Sequence, residues 1–182
     1  MSQDRKKYNF LKNNQGFSLV EVMVTMFIFS FVVLGLFVSV VATDASWASN
    51  KASIDLHQQL RTGMEWIKYE LSQASTTSIS SVPANGTWYT SITFKLPTGI
   101  SNGSATWDAN SVVFQRGGSN NGDLQRVYNG STRVLGRDLS LLQFRRQAST
   151  SNVLEVEMTA QKQDDQRRTA QYSLNFQVKL RN

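Results

Sequence analysis

The sequence predicts an α+β fold: one long N-terminal helix, membrane-spanning in its first half and amphipathic in its second, packed against an antiparallel β-sheet. Three observations predict it. From Val22 to Ala42 no residue is charged, although the chain as a whole is 18% charged. Leu56, Leu60, Met64, Ile67, Leu71 and Ala74 then recur at helical spacing. Finally, Leu154, Val156, Met158 and Ala160, and after them Ala170, Tyr172, Leu174, Phe176, Val178 and Leu180, alternate with polar residues as strands do.

The elements follow in order. Residues 1–16 form a short basic leader in which Arg5, Lys6, Lys7 and Lys12 stand against Asp4, leaving +3 of the chain's formal +6 there. The 21 positions from Val22 to Ala42 would rise about 30 Å as a helix, the thickness of a bilayer's hydrocarbon core. Basic residues precede this span, and the first after it is Lys51. The positive-inside rule therefore holds the leader in the cytoplasm and exports residues 47–182. Within the span, Gly35 is the only helix-weakening residue, read either as a close-packing point or as a tolerated glycine. Ser18 and Thr25 are expected to bond backbone carbonyls. An ordinary secretory signal cut after Ala42 and a plain uncleaved anchor are the alternatives for this segment. Neither explains Glu21, a carboxylate at the start of a membrane-length apolar run, where charge is costly.

Past the span, the amphipathic helix is expected to run to about residue 75, with Gln59, Arg61, Lys68, Glu70 and Gln73 off its apolar stripe. Trp66 and Tyr69 either widen the buried face or touch a neighbour. The Ser/Thr-rich stretch 72–81 ends the helix, and Pro83 with Asn85-Gly86 makes a turn. Thr87–Leu96 reads as a strand with Trp88, Thr90, Ile92, Phe94 and Leu96 on one face, followed by a loop at Pro97, Gly99, Asn102 and Gly103. Ser111–Arg116 is a short strand, and Gly117–Asp123 is a turn. Leu124–Tyr128 and Thr132–Leu135 flank Asn129-Gly130, a hairpin signal. Leu139–Arg145 is another strand. The last two strands, Val153–Ala160 and Ala170–Leu180, form a hairpin around Asp164-Asp165. The domain plan is thus leader 1–16, transmembrane helix 17–46 and exported domain 47–182, whose roughly 135 residues suffice for one modest core.

Composition removes several function classes. With no cysteine there is neither a disulfide nor a thiolate metal site. After the leader no dense Lys/Arg run is interleaved with aromatics, which weakens a nucleic-acid reading. Arg116, Arg126, Arg145 and Arg146 read as solvated strand faces. So do the paired acids Glu155 and Glu157. The single histidine, His57, reads as a partly exposed packing residue, and no clustered acid, base and nucleophile is evident, so no enzyme and no cofactor is predicted. Asn120, Asn121 and Asp123 supply oxygen ligands in one loop, but their spacing falls short of a calcium-binding loop.

The order of residues around Gly16 adds a resemblance. The run GFSLVEVMVT, with Gly16 before Phe17 and Glu21 five residues inside, resembles the processing site of type IV prepilins and the pseudopilins of type II secretion. The resemblance is strongest over residues 14–42. It implies that an inner-membrane prepilin peptidase cuts after Gly16 and methylates the new amino terminus at Phe17. It also implies that Glu21 pairs with the N-terminal amine of a subunit in a growing filament. The fold implied is pilin-like. The partners implied are other pilin or pseudopilin subunits, the inner-membrane assembly platform and the membrane itself. The absence of cysteine departs from the disulfide-closed loop of many major pilins, and LRTGMEWIKYELSQAS resembles the segment after the span in J-type pseudopilins and W-type minor pilins. A minor subunit, in a tip-priming complex, is the expectation. One tip subunit of the secretion family lacks the acid, so Glu21 argues against that type. Two alternatives stay open: an anchored or secreted β-rich binding module with no filament role, and a competence pseudopilus subunit for DNA uptake.

Overall fold

The computed structural model of the protein describes residues 18–101, 103–163 and 167–181. A single helix, α1, spans Leu19–Leu71. The chain divides between Asp44 and Ala45 into two units.

In the first unit, α1 leaves every described residue from Ser18 to Asp44 exposed. Leu19, Met26, Phe29 and Phe37 are among the large apolar side chains left open. The helix is long and apolar enough to cross a membrane. Beyond its first turn, helical hydrogen bonding satisfies the backbone, as an apolar solvent requires.

In the second unit, α1 buries Ala52, Leu56, Leu60, Ile67 and Leu71. Each large aliphatic among them contributes roughly 1.5–3 kcal/mol by leaving water. Lys68 lies in the last turn, where a cation suits the helix dipole. The helix stops at Leu71, short of the expected residue 75. Gln73 and Ala74 close it with shorter-range bonds to Glu70 and Leu71. Ala74 still enters the core, and its carbonyl accepts the Arg181 amide.

Seven strands follow: β1 Ser91–Ser101, β2 Ser104–Gly117, β3 Asp123–Tyr128, β4 Ser131–Gly136, β5 Leu139–Arg146, β6 Val153–Gln163 and β7 Thr169–Lys179. All neighbours pair antiparallel. The expected single sheet is in fact two meanders, β1-β2-β3-β4 and β5-β6-β7. The break falls at Asp138, whose φ of 61° turns the chain. There the Arg137 amide donates to Gln59 Oε1 on α1, and the Leu139 amide donates to the Gly122 carbonyl. Ile92, Phe94, Val112, Phe114 and Leu124 of the first sheet, with Leu142, Phe144, Leu154, Val156 and Met158 of the second, form one core with the helix stripe.

Several local expectations change. The loop expected at Pro97 and Gly99 is strand, because β1 pairs with β2 out to Ser101–Ser104. It does so through register shifts on both sides of Pro97, the place a strand tolerates a residue with no amide hydrogen. The turn expected at Asn102 falls on a residue outside those described, as does Asp164-Asp165. Trp88 and Thr90 precede β1 rather than sharing its face. The Asn129-Gly130 turn forms as expected, with φ positive at both residues (49° and 72°), which a two-residue I′ hairpin requires.

The four arginines read as solvated are all engaged. Arg146 is only 7% exposed and donates to the carbonyls of Ser151, Thr76 and Val82. Burial lowers its pKa. Arg116 donates to the Asn121 and Ser140 carbonyls. Arg145 pairs with Glu155 and stacks on Trp88, its guanidinium 4.3 Å from the ring centroid. Glu155 is accordingly a half-buried partner rather than a free acid. Arg126 reaches Glu70 on α1. Glu70 is 4% exposed, although it stands off the apolar stripe. The contacts of Arg126 with Glu70, of Arg145 with Trp88 and of Arg146 with Thr76 and Val82 span 56 to 70 positions, so local periodicity carries no trace of them.

Candidate functional site: the start of the apolar helix

The residues that carry the resemblance sit at the start of α1. Gly16 and Phe17 lie outside the described residues. Ser18 directly precedes the helix, and its carbonyl accepts the Val22 amide at 3.2 Å. Glu21 lies in the first turn, where the helix dipole favours a negative charge. Its side chain is exposed, and among the described residues no ion pair or side-chain hydrogen bond engages it.

The hydroxyls nearby behave differently. Thr25 Oγ1 donates to the Val22 carbonyl at 2.9 Å, as expected of Thr25. Ser30 donates to Met26 at 2.8 Å and Thr43 to Ser39 at 2.8 Å. These groups are satisfied within the helix and need nothing from outside it. Glu21 is the acid in a surface of leucine, valine, methionine and phenylalanine. Phe27 and Phe31, one turn apart, meet edge to face at 4.8 Å. At Gly35 an added Cβ would meet nothing within 4 Å, so this chain's own packing does not require a glycine there.

A second concavity, of about 700 Å³, lies against the Gly118–Asp123 turn and the start of β5. Asn120 and Asp123 line it, joined by Asp138, which the sequence reading missed because it comes from another loop. Asn121 instead gives its carbonyl to Arg116. Arg137 lines the same space. Among the described residues no three of His, Cys, Asp and Glu gather in a way that would hold a metal ion. His57 is exposed, with its ring 3.7 Å from that of Tyr172.

Electrostatics away from the apolar helix is structural. Tyr128 Oη donates to Asp108 Oδ2 at 2.6 Å, which lowers the Asp108 pKa and raises that of Tyr128. Burial raises the Glu70 pKa, opposed by the hydrogen bond and charge of Arg126.

No curated protein and no solved structure matches the chain. Residues 11–37 match the family described as the prokaryotic N-terminal methylation motif. The match spans Gly16, Phe17, Glu21 and most of the apolar run, and it supports a type IV pilin-like precursor.

Proposed function

We propose that the chain is a minor pilin or pseudopilin subunit, cleaved after Gly16, N-methylated at Phe17, and assembled through its apolar helix into a type IV pilus or a type II secretion pseudopilus. The observation that carries this is the methylation motif running directly into a helix whose described residues through Asp44 are all exposed. Among the described residues nothing within this unit covers that surface. A bilayer covers it before assembly, and the packed helices of neighbouring subunits cover it afterwards.

Glu21 fits the same reading. It stands four residues past Phe17, one helical turn. In lipid a free amine and a carboxylate each carry a large desolvation cost, and pairing them offsets part of it. A subunit seated one step out of register leaves both unpaired, so the pair acts as a register mark. In this reading the leader is cytoplasmic and the β-rich domain is exported from the inner membrane. The partners are the prepilin peptidase, the assembly platform and sister subunits, with a tip-priming complex as the place of action. The chain itself performs no catalysis.

The test is the intact mass and N-terminal sequence of the membrane-fraction protein with and without the peptidase. A chain that starts at N-methylated Phe17 only when the peptidase is present supports the proposal. A chain starting at Met1 in both strains would mark a simple anchor, and one starting at Thr43 a secreted module. Either would refute it.

A further inference from the structure

The outer face of the second sheet carries a concavity of about 450 Å³, lined by Trp88, Arg145, Glu155, Glu157, Asn175 and Gln177. Strand alternation gathers these groups. Arg145 lies between the buried Phe144 and Arg146, and Glu155 and Glu157 lie between the buried Leu154, Val156 and Met158. Their side chains therefore leave the sheet on the side away from the core. Register sets Arg145, Glu155 and Gln177 in one row across the three strands, with Glu157 beside Asn175 in the next row of the same face. Trp88 arrives from outside the three strands. Gly86 donates its amide to the Arg146 carbonyl, and Tyr89 exchanges both backbone bonds with Phe144, which holds this segment against β5.

One side of this cavity is fixed and the other is unsatisfied. Both oxygens of Glu155 are engaged, Oε2 by Arg145 Nε at 2.7 Å and Oε1 by Gln147 Nε2 at 3.2 Å. Arg145 in turn holds the Trp88 ring, its guanidinium 4.3 Å from the ring centroid. These groups are in place before a ligand arrives, so little of their side-chain freedom is left to lose on binding. Glu157 differs. It is half-buried, and among the described residues no hydrogen bond or ion pair engages its carboxylate. The side-chain amides of Asn175 and Gln177 beside it are exposed and likewise unengaged among the described residues.

The lining selects the chemistry of the guest. An apolar molecule would strand the Glu157 carboxylate. An anion would meet that carboxylate while Arg145 is committed to Glu155. A cation offers donors alone and leaves the amide nitrogens and the Trp88 indole N–H unmatched. A hydroxyl both donates and accepts, so an array of hydroxyls matches the carboxylate, the two amides and the indole together. The Trp88 ring adds an apolar surface against which C–H groups can pack. We infer that this cavity binds a short neutral saccharide, its hydroxyls bonded to Glu157, Asn175 and Gln177 and its ring packed on Trp88. The volume lies within the range of about 300–1,000 Å³ usual for small-molecule sites. Hydrolysing a glycoside takes two available carboxyl groups. Glu155 is held by Arg145 and Gln147, so the cavity binds without cleaving.

The test is an NMR titration of the purified full chain, in a zwitterionic detergent that carries no sugar headgroup. The probes are cellobiose, maltose and the disaccharide of N-acetylglucosamine, with arginine amide and glucuronate as charged comparisons. At least one neutral disaccharide should shift the Trp88 indole N–H and the side-chain amides of Asn175 and Gln177, and leave the indoles of Trp47, Trp66 and Trp107 in place. Glu157→Gln should weaken that binding about tenfold, because it replaces a charged acceptor by a neutral one. The substitution leaves the fold intact, since Glu157 bonds nothing among the described residues. Asn175→Ala, at an exposed position, should weaken binding about fivefold. A Trp88 signal unmoved by every disaccharide would overturn the inference, as would equal shifts at the other three indoles. So would tighter binding of arginine amide or glucuronate than of any disaccharide, or full affinity in Glu157→Gln. The inference does not rest on cleavage at Gly16 or on assembly, so its failure is distinct from failure of the proposed function.

Discussion

Removing Arg126 tests how the helix is locked to the sheet. Arg126 Nε donates to Glu70 Oε1 at 2.7 Å, and Glu70 Oε2 is buried with no hydrogen-bond partner. Deleting one member of a buried pair costs about 3–5 kcal/mol, because the other charge is stranded. The Arg126 side chain is 19% exposed, and Arg133 still lowers the Glu70 pKa from nearby. The loss expected for Arg126→Ala therefore falls at or just below the low end, about 2–3 kcal/mol. Its pH dependence has a definite sign. Burial raises the folded-state pKa of Glu70 above the unfolded value. The folded chain then binds this proton more tightly, and the associated stability is complete below the unfolded pKa and lost as pH rises through the folded one. Arg126→Ala raises the folded pKa further, so its cost should grow as pH rises above the unfolded-state pKa of Glu70. Adding Glu70→Gln removes the stranded charge and should recover most of the loss at the higher pH. Denaturant unfolding of the full chain, followed by tryptophan fluorescence, measures all of this, since Trp66 lies one turn before Glu70 with Arg133 stacked 4.6 Å from its ring. A cost below about 1 kcal/mol, a cost that does not change with pH, or a double variant as unstable as the single would refute the reasoning.

Three further outcomes follow from the geometry. A Cβ at Gly63 would fall 2.6 Å from Leu124 Cδ2, so Gly63→Ala should cost about 1 kcal/mol net in thermal or denaturant unfolding, because overpacking of about 1–3 kcal/mol outweighs a gain of about 1 in helix propensity. Gly130→Val places a β-branched residue at φ 72° and should cost at least about 1–2 kcal/mol in the same assay, while Asn129→Gly is tolerated. Tyr128→Phe removes the main cause of the lowered Asp108 pKa, so NMR titration should show that carboxyl moving back up toward its ordinary range. The stability tied to Asp108, present above the ordinary pKa and lost as pH falls through the lowered one, should shrink with it.

How much of this was legible in the sequence depends on the range of the interaction that fixes each feature. The apolar span, the helix stripe, the Asn129-Gly130 turn and the alternation in β6 and β7 are set by neighbours within a few residues, and periodicity or turn chemistry reads them directly. The division into two sheets is set at Asp138, an aspartate adopting a backbone that usually signals glycine, held there by bonds to Gln59 and Gly122. Neither partner is near in sequence. Arg126 and Arg146 escape local periodicity for the same reason. Arg126 and Glu70 are 56 positions apart, and Arg146 binds carbonyls 70 and 64 positions away.

The candidate site divides along the same line. The run from Gly16 to Glu21 is compact enough to be read as a string, as cleavage and methylation would also require, since an enzyme acting on an extended segment senses only adjacent residues. Glu21 adds what a string alone could not: its surroundings in the described structure contain no partner for it. A carboxylate that leaves its pairing to another molecule, on a helix that leaves its covering to another molecule, describes a component rather than a finished assembly. Incomplete satisfaction of these described residues is therefore the physical argument for assembly. It predicts that Glu21→Ala should impair incorporation into a filament without changing the melting of the β-rich domain.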